Sequence, residues 1–94
     1  MTEGQAMSAI QDILTERKRQ DAMWGQQDHG LLLWNTILAE EFGEFARHVY
    51  EAQYAEDEEV AEALHDARVE IVQVAAVAVA IIESMDRRSG GWGS

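Results

Sequence analysis

Leu38-Ala-Glu-Glu-Phe-Gly-Glu-Phe-Ala-Arg-His48 decides how the chain is read. Glu40, Glu41 and Glu44 sit among Leu38, Ala39, Phe42, Phe45 and Ala46, with the apolar positions at helical steps. Residues three or four apart share a helix face, so Glu41 and Glu44 point one way. Further along, Glu70 and Gln73 repeat the three-residue step and are the only polar positions between Val69 and Ile82. If these two helices pair as an antiparallel hairpin, three carboxylates and an amide converge. Like charges at close range repel, so the group calls for something positive within it. Oxygen donors on an acidic protein suit a hard cation such as Mg²⁺. A carboxylate left unpaired in so apolar a helix is expensive. The competing reading is a plain salt-bridged network, with Arg68 or the N-terminal arginines as partners of Glu70.

The flanking segments extend the helical reading. Leu31, Leu32, Trp34, Leu38, Phe42, Phe45 and Val49 predict a helix over residues 31–52. Gly43 falls inside it, where glycine costs about 1 kcal/mol relative to alanine; close approach of a helix or ligand would explain it. His48 lies four residues after Glu44, as a hydrogen-bond partner of the acidic face or as an exposed side chain. A third helix is expected over 57–87. Residues 74–82 are apolar throughout, so the alternative there is a buried strand; segment length and alanine content favour helix. Nine such residues are too few to cross a bilayer. A helix apolar all round must be covered all round. One neighbour cannot do that, so a homo-oligomer is expected.

The N-terminal part is less regular. Ser8-x-x-Gln11 has capping-box form and predicts a first helix over 8–20, with Ile10, Ile13 and Leu14 on one stripe. Residues 1–7 and 88–94 read as flexible. Arg17, Lys18 and Arg19 are three of the seven basic residues. They read either as a solvated helix end complementing the dipole or as a group facing phosphate. Residues 21–30, with two glycines, read as a loop. Trp24 there is either a lid over the core or a ring that stacks on a nucleobase. The acidic run at 51–59 reads as a connection and a first helical turn; it lacks the glycine-containing spacing of a calcium loop.

Ninety-four residues make one domain, read as spanning 1–94. The absence of cysteine excludes disulfides and cysteine-based zinc sites, and the absence of proline suits long helices. A net charge of −11 argues against a nucleic-acid polymer and against an anionic membrane as partners. A small phosphate ligand stays open, because bound cations reverse the local sign. No secretory signal pattern is seen, so a cytoplasmic protein is expected.

Taken together, Leu38-Ala-Glu-Glu-Phe-Gly-Glu-Phe-Ala46 and Glu70-Ile-Val-Gln-Val-Ala-Ala76 resemble the all-α nucleoside triphosphate pyrophosphohydrolases of the MazG type. The segment Glu16-Arg-Lys-Arg-Gln-Asp21, with Trp24-Gly-Gln26, resembles the leader of small MazG-like proteins. The resemblance implies a helical bundle assembled as dimers or dimers of dimers. It implies Mg²⁺, with Mn²⁺ as a substitute, held by Glu41, Glu44, Glu70 and Gln73. It implies hydrolysis of a nucleoside triphosphate to the monophosphate and pyrophosphate, a clearance of non-standard nucleotides. Glu40 or Glu44 would then orient or deprotonate the water. Arg17 and Arg19 are the candidates for phosphate, and Trp24, His29 and Trp34 for the base. Gln73 departs from the family pattern, which has Asp there. Larger members also carry a further phosphate-binding helix, whose part Arg17, Arg19 or Arg87 would have to take. A helical module that binds nucleotide without cleaving it, or binds only protein, is the alternative.

Overall fold

A computed structural model describes residues 1–88. Three helices make up the fold: α1 (Glu3–Trp24), α2 (Leu31–Gln53) and α3 (Val60–Arg87), with one 3₁₀ turn at Asp57–Glu59 before α3. No strand occurs among the described residues, so the segment at 74–82 is helical. The protein is all-α. No helix is long and apolar enough to cross a membrane among the described residues.

Helix α1 departs from expectation at both ends. It starts at Glu3, capped by Thr2, not at Ser8. The Thr2 hydroxyl oxygen accepts the Gln5 N–H at 3.1 Å, and the Thr2 N–H donates to the Gln5 side chain at 2.7 Å. This is a complete capping box, and residues 3–7, expected to be loose, are helix. Thr2-x-x-Gln5 and Ser8-x-x-Gln11 have the same spacing, and the earlier one satisfies the free N–H groups. At the other end the helix continues through Trp24 and stops at Gly25. Gly25 takes φ 70°, a conformation side-chain-bearing residues rarely adopt, and its N–H bonds to the Asp21 carbonyl at 2.8 Å. The basic cluster is therefore mid-helix, and no basic residue lies in the last turn of α1. The helix-dipole account of Arg17–Arg19 fails for that reason.

Helix α2 follows the expected span to within a residue. The close approach suggested at Gly43 is not seen: a Cβ built there meets nothing within 4 Å. Asp57–Glu59, expected as the first turn of α3, forms the tighter 3₁₀ turn.

Both α1 and α2 pack on α3. Arg17 of α1 donates to Glu83 at 2.8 Å, and Arg68 of α3 to Asp12 at 2.7 Å. Asp28, just ahead of α2, meets Ser84 and Arg87 near the end of α3. His48, late in α2, meets Glu70. The buried apolar side chains among the described residues are Trp34, Ala67, Ala76 and Val77. Expected all-round cover of α3 is not supplied within one chain, since Val69, Ile71 and Ile82 remain exposed. The molecule is also elongated, 51 × 30 × 25 Å, with a radius of gyration of 15.5 Å. A compact domain of this length would have about 12 Å.

Candidate functional site

Two features adjoin where the three helices meet, and Glu41 belongs to both. The first is a group of carboxylates. Glu41, Glu44 and Glu70 each offer an oxygen within 4.8 Å of the others. The three-residue step on α2 puts Glu41 and Glu44 on one face, and α3 brings Glu70 to them. Glu70 is largely covered. One of its oxygens lies 3.6 Å from His48 Nε2, and the other is closed off from solvent with no hydrogen-bond partner among the described residues. His48 also reaches Glu51, at 3.4 Å. Arg68, a candidate counter-ion for Glu70, instead pairs with Asp12. The salt-bridged alternative thus loses its arginine at this position. Burial pushes the Glu41 carboxyl above its ordinary range, and the charges of Glu44, Glu70, Glu16 and Glu40 push it further the same way.

The second feature is a cleft of about 590 Å³. Arg17, Arg19, Trp24, Trp34, Glu41 and Gln73 line it. Trp24 is 55% exposed at this cleft, so it is not a lid over the core. Trp34 is 2% exposed and belongs to the core as well as to the cleft wall. His29 does not line the cleft; its ring stands edge-on to Trp34, centroids 4.8 Å apart. Glu40 is exposed and lies outside both the carboxylate group and the cleft wall.

The cleft's cations are all engaged. Arg17 donates to Glu83 at 2.8 Å and to Asp21 at 3.0 Å. Partial burial works against its charge, but these two carboxylates outweigh it and hold the guanidinium more firmly protonated than usual. Arg19 forks Glu16 through two bonds of 2.8 and 2.7 Å. That fork draws the Glu16 carboxyl below its ordinary range against the opposing pull of burial. Arg87 also lines the cleft, and bonds Asp28 at 2.7 Å and the Gln27 carbonyl at 3.3 Å. Gln26, Arg87 and Ser84 all donate to Asp28 and lower its pKa to about 2.

Sequence reasoning missed Glu16, Gln20 and Glu83 as cleft residues. Glu16, Gln20 and Trp24 are four residues apart, one stripe of α1. Ending the first helix at Gln20 cut that stripe and put Trp24 in a loop. Glu83 carried no sequence signal, because only the packing of α1 on α3 brings Arg17 to it.

No family model, curated protein or solved structure matches the chain. Fold and site define an all-α protein in which Glu41, one of three clustered carboxylates, also lines an arginine-bearing cleft.

Proposed function

We propose that this protein is a MazG-like, Mg²⁺-dependent pyrophosphohydrolase that splits a nucleoside triphosphate into monophosphate and pyrophosphate. The observation that carries this is the convergence of Glu41, Glu44 and Glu70 within 4.8 Å beside a cleft lined by three arginines and two tryptophans. A divalent cation suits the donor set. The buried, unpartnered Glu70 oxygen and the uphill ionisation of Glu41 are both relieved by positive charge. Glu41, Glu44 and Glu70 would hold it, with Gln73 a neutral donor one turn beyond Glu70. When bound, Mg²⁺ (or Mn²⁺) supplies charge that offsets what builds on the phosphate oxygens and makes water more acidic.

The chain's own groups do the rest. Arg17, Arg19 and Arg87 exchange carboxylate partners for phosphate oxygens, charge-assisted bonds of the same kind. Trp24 offers an exposed ring to the base. Glu44, or Glu40 beside it, takes the proton of the water that attacks the α-phosphorus, and pyrophosphate leaves. Glu44 has the better claim, as it stands within the carboxylate group.

The contacts of Asp28 with Ser84 and of His48 with Glu70 support an antiparallel α2–α3 hairpin. A homo-oligomer completes the bundle: Leu32 is 81% exposed and Phe42 56%, and large apolar side chains are open on all three helices. We place the protein in the cytoplasm. Sedimentation showing a folded monomer at micromolar concentration would remove the oligomer from this reading.

Purified protein incubated with Mg²⁺ and a panel of nucleoside triphosphates should release pyrophosphate. No release from any of them by folded protein defeats the enzymatic reading. Glu41→Gln should abolish most of the activity while the helices persist by circular dichroism. A non-catalytic nucleotide-binding module is the second reading, favoured by the neutral Gln73 and by the ion pairs that already occupy the arginines. Calorimetric binding of nucleotide without turnover would establish it.

A further inference from the structure

The three arginines of the cleft are not equivalent. Two are fastened toward the C-terminal end of α3, away from the carboxylate group. Arg17 bonds Glu83, and Arg87 stands on α3 itself and bonds Asp28. Glu83 and Arg87 follow Glu70 by 13 and 17 residues, about 20 and 25 Å along a helix that rises about 1.5 Å per residue. Arg19 is placed otherwise. It lines the cleft with Glu41. The bond to Glu16, and after it the charge of Glu41, hold its guanidinium more firmly protonated than usual. On Arg17 burial pulls the other way, and the carboxylates at work are Glu83 and Asp21.

The nitrogens of the two α1 arginines are also used differently. All three nitrogens of Arg17 reach oxygen, on Glu83 at 2.8 Å, Asp21 at 3.0 Å and Gln20 at 3.5 Å. Nε and Nη2 of Arg19 fork the Glu16 carboxylate at 2.8 and 2.7 Å, while Nη1 meets the Met23 sulfur. A thioether is a weak acceptor. Arg19 is thus clamped on one edge and lightly engaged on the other nitrogen. Its side chain is 48% exposed, against 12% for Arg17. Glu16, the clamp, is 13% exposed and also accepts from Gln20 at 3.3 Å. A phosphate oxygen can take the place of sulfur at Nη1 while the Glu16 fork stays closed.

We propose that Arg19 is the phosphate contact of the cleft and that Glu16 is the residue that positions it, with the Met23 sulfur keeping Nη1 until phosphate arrives. This rests on the nucleotide reading above and narrows its three arginines to one. Arg17 and Arg87 keep their carboxylates and hold the helices and the connecting loop together. Arg19 trades a weak contact with sulfur for a charge-assisted bond. Its guanidinium is already fixed by the fork, so the trade costs little ordering.

The test uses the full chain, excess Mg²⁺ and the α,β-methylene analogues of adenosine, guanosine, cytidine and uridine triphosphates, which do not split at that bond. Calorimetry should show Arg19→Gln binding the tightest of them about tenfold or more weakly than wild type, the size of one charge-assisted bond. Glu16→Gln keeps the shape but loosens the fork, and should weaken binding about threefold to tenfold. The double variant Glu16→Gln/Arg19→Gln should bind no more weakly than Arg19→Gln alone, because Glu16 acts through Arg19; a merely structural Glu16 would add its own loss. Without nucleotide, Glu16→Gln should bind Mg²⁺ within about threefold of wild type, since a charge off the metal acts only through screening solvent. Circular dichroism checks that each variant keeps its helices. Wild-type affinity in Arg19→Gln, additive losses, or loss of Mg²⁺ binding in Glu16→Gln overturns the proposal and leaves the nucleotide reading standing. No binding of any analogue by folded wild-type protein overturns both.

Discussion

The connection that enters α2 and the carboxylate group further along the same helix treat charge in opposite ways. At the first, Asp28 accepts from Gln26, Ser84 and Arg87, and its negative charge is met on every side. At the second, Glu41, Glu44 and Glu70 gather, and one Glu70 oxygen is buried without a partner. Both sites join α3 to the α2 side of the molecule. The first is complete within one chain and holds the loop beside the cleft. The second keeps one carboxylate oxygen that no described residue bonds. Paired charges stabilise a fold, whereas like charges gathered without a counter-charge weaken it.

The largest expected effect sharpens this contrast. Magnesium at a hundred times its dissociation constant should stabilise the wild-type protein by about 2.7 kcal/mol, read as a rise in thermal midpoint. Glu41→Gln should remove most of that rise. Without metal the same substitution should raise the midpoint, because it deletes a carboxylate that burial and four neighbouring acids disfavour. A midpoint that falls without metal would mean that the cluster is already neutralised.

Breaking the completed side should do the reverse. Ser84 is fully buried and donates to Asp28 at 3.0 Å. Ser84→Ala should cost about 1 kcal/mol, or roughly 4–8 °C in a domain of this size, with or without Mg²⁺. A metal-dependent loss would contradict the separation of the two regions.

Acid should distinguish them as well. The folded Asp28 carboxyl titrates near 2, below its ordinary 3.8. The stability this contributes is present above the ordinary value and is lost as pH falls through the folded one. Unfolding followed between pH 4 and 2 should show that loss, and Asp28→Asn should flatten the curve in that window. The smallest effect should come from Arg47→Ala. Its ion pair with Glu51 is 3.7 Å long and exposed, so denaturant melts should shift by less than about 0.5 kcal/mol.

The helices themselves were legible where apolar spacing was strong. α2 was read to within a residue, and α3 was read as helix through a stretch that also suits a strand. The ends of α1 were not, since two capping boxes of equal form lie six residues apart and only one is used. The triad was legible from the steps Glu41–Glu44 and Glu70–Gln73, given that the two helices meet. The cleft was only half legible. Trp24 and Arg17 were named, but Glu16 and Gln20, inside the expected helix, were not tied to the cleft because Trp24 on the same stripe was placed in a loop, and Glu83 lies 66 positions from the arginine it holds.

The order of residues by itself determined an all-helical chain, its acidic character and the faces on which the glutamates lie, because helical period and charge are local properties. Which arginine meets which carboxylate and which glutamate oxygen is left without a partner were decided by the packing of α1 and α2 on α3. Those pairings depend on distances between residues far apart in the chain, and no local rule supplies them.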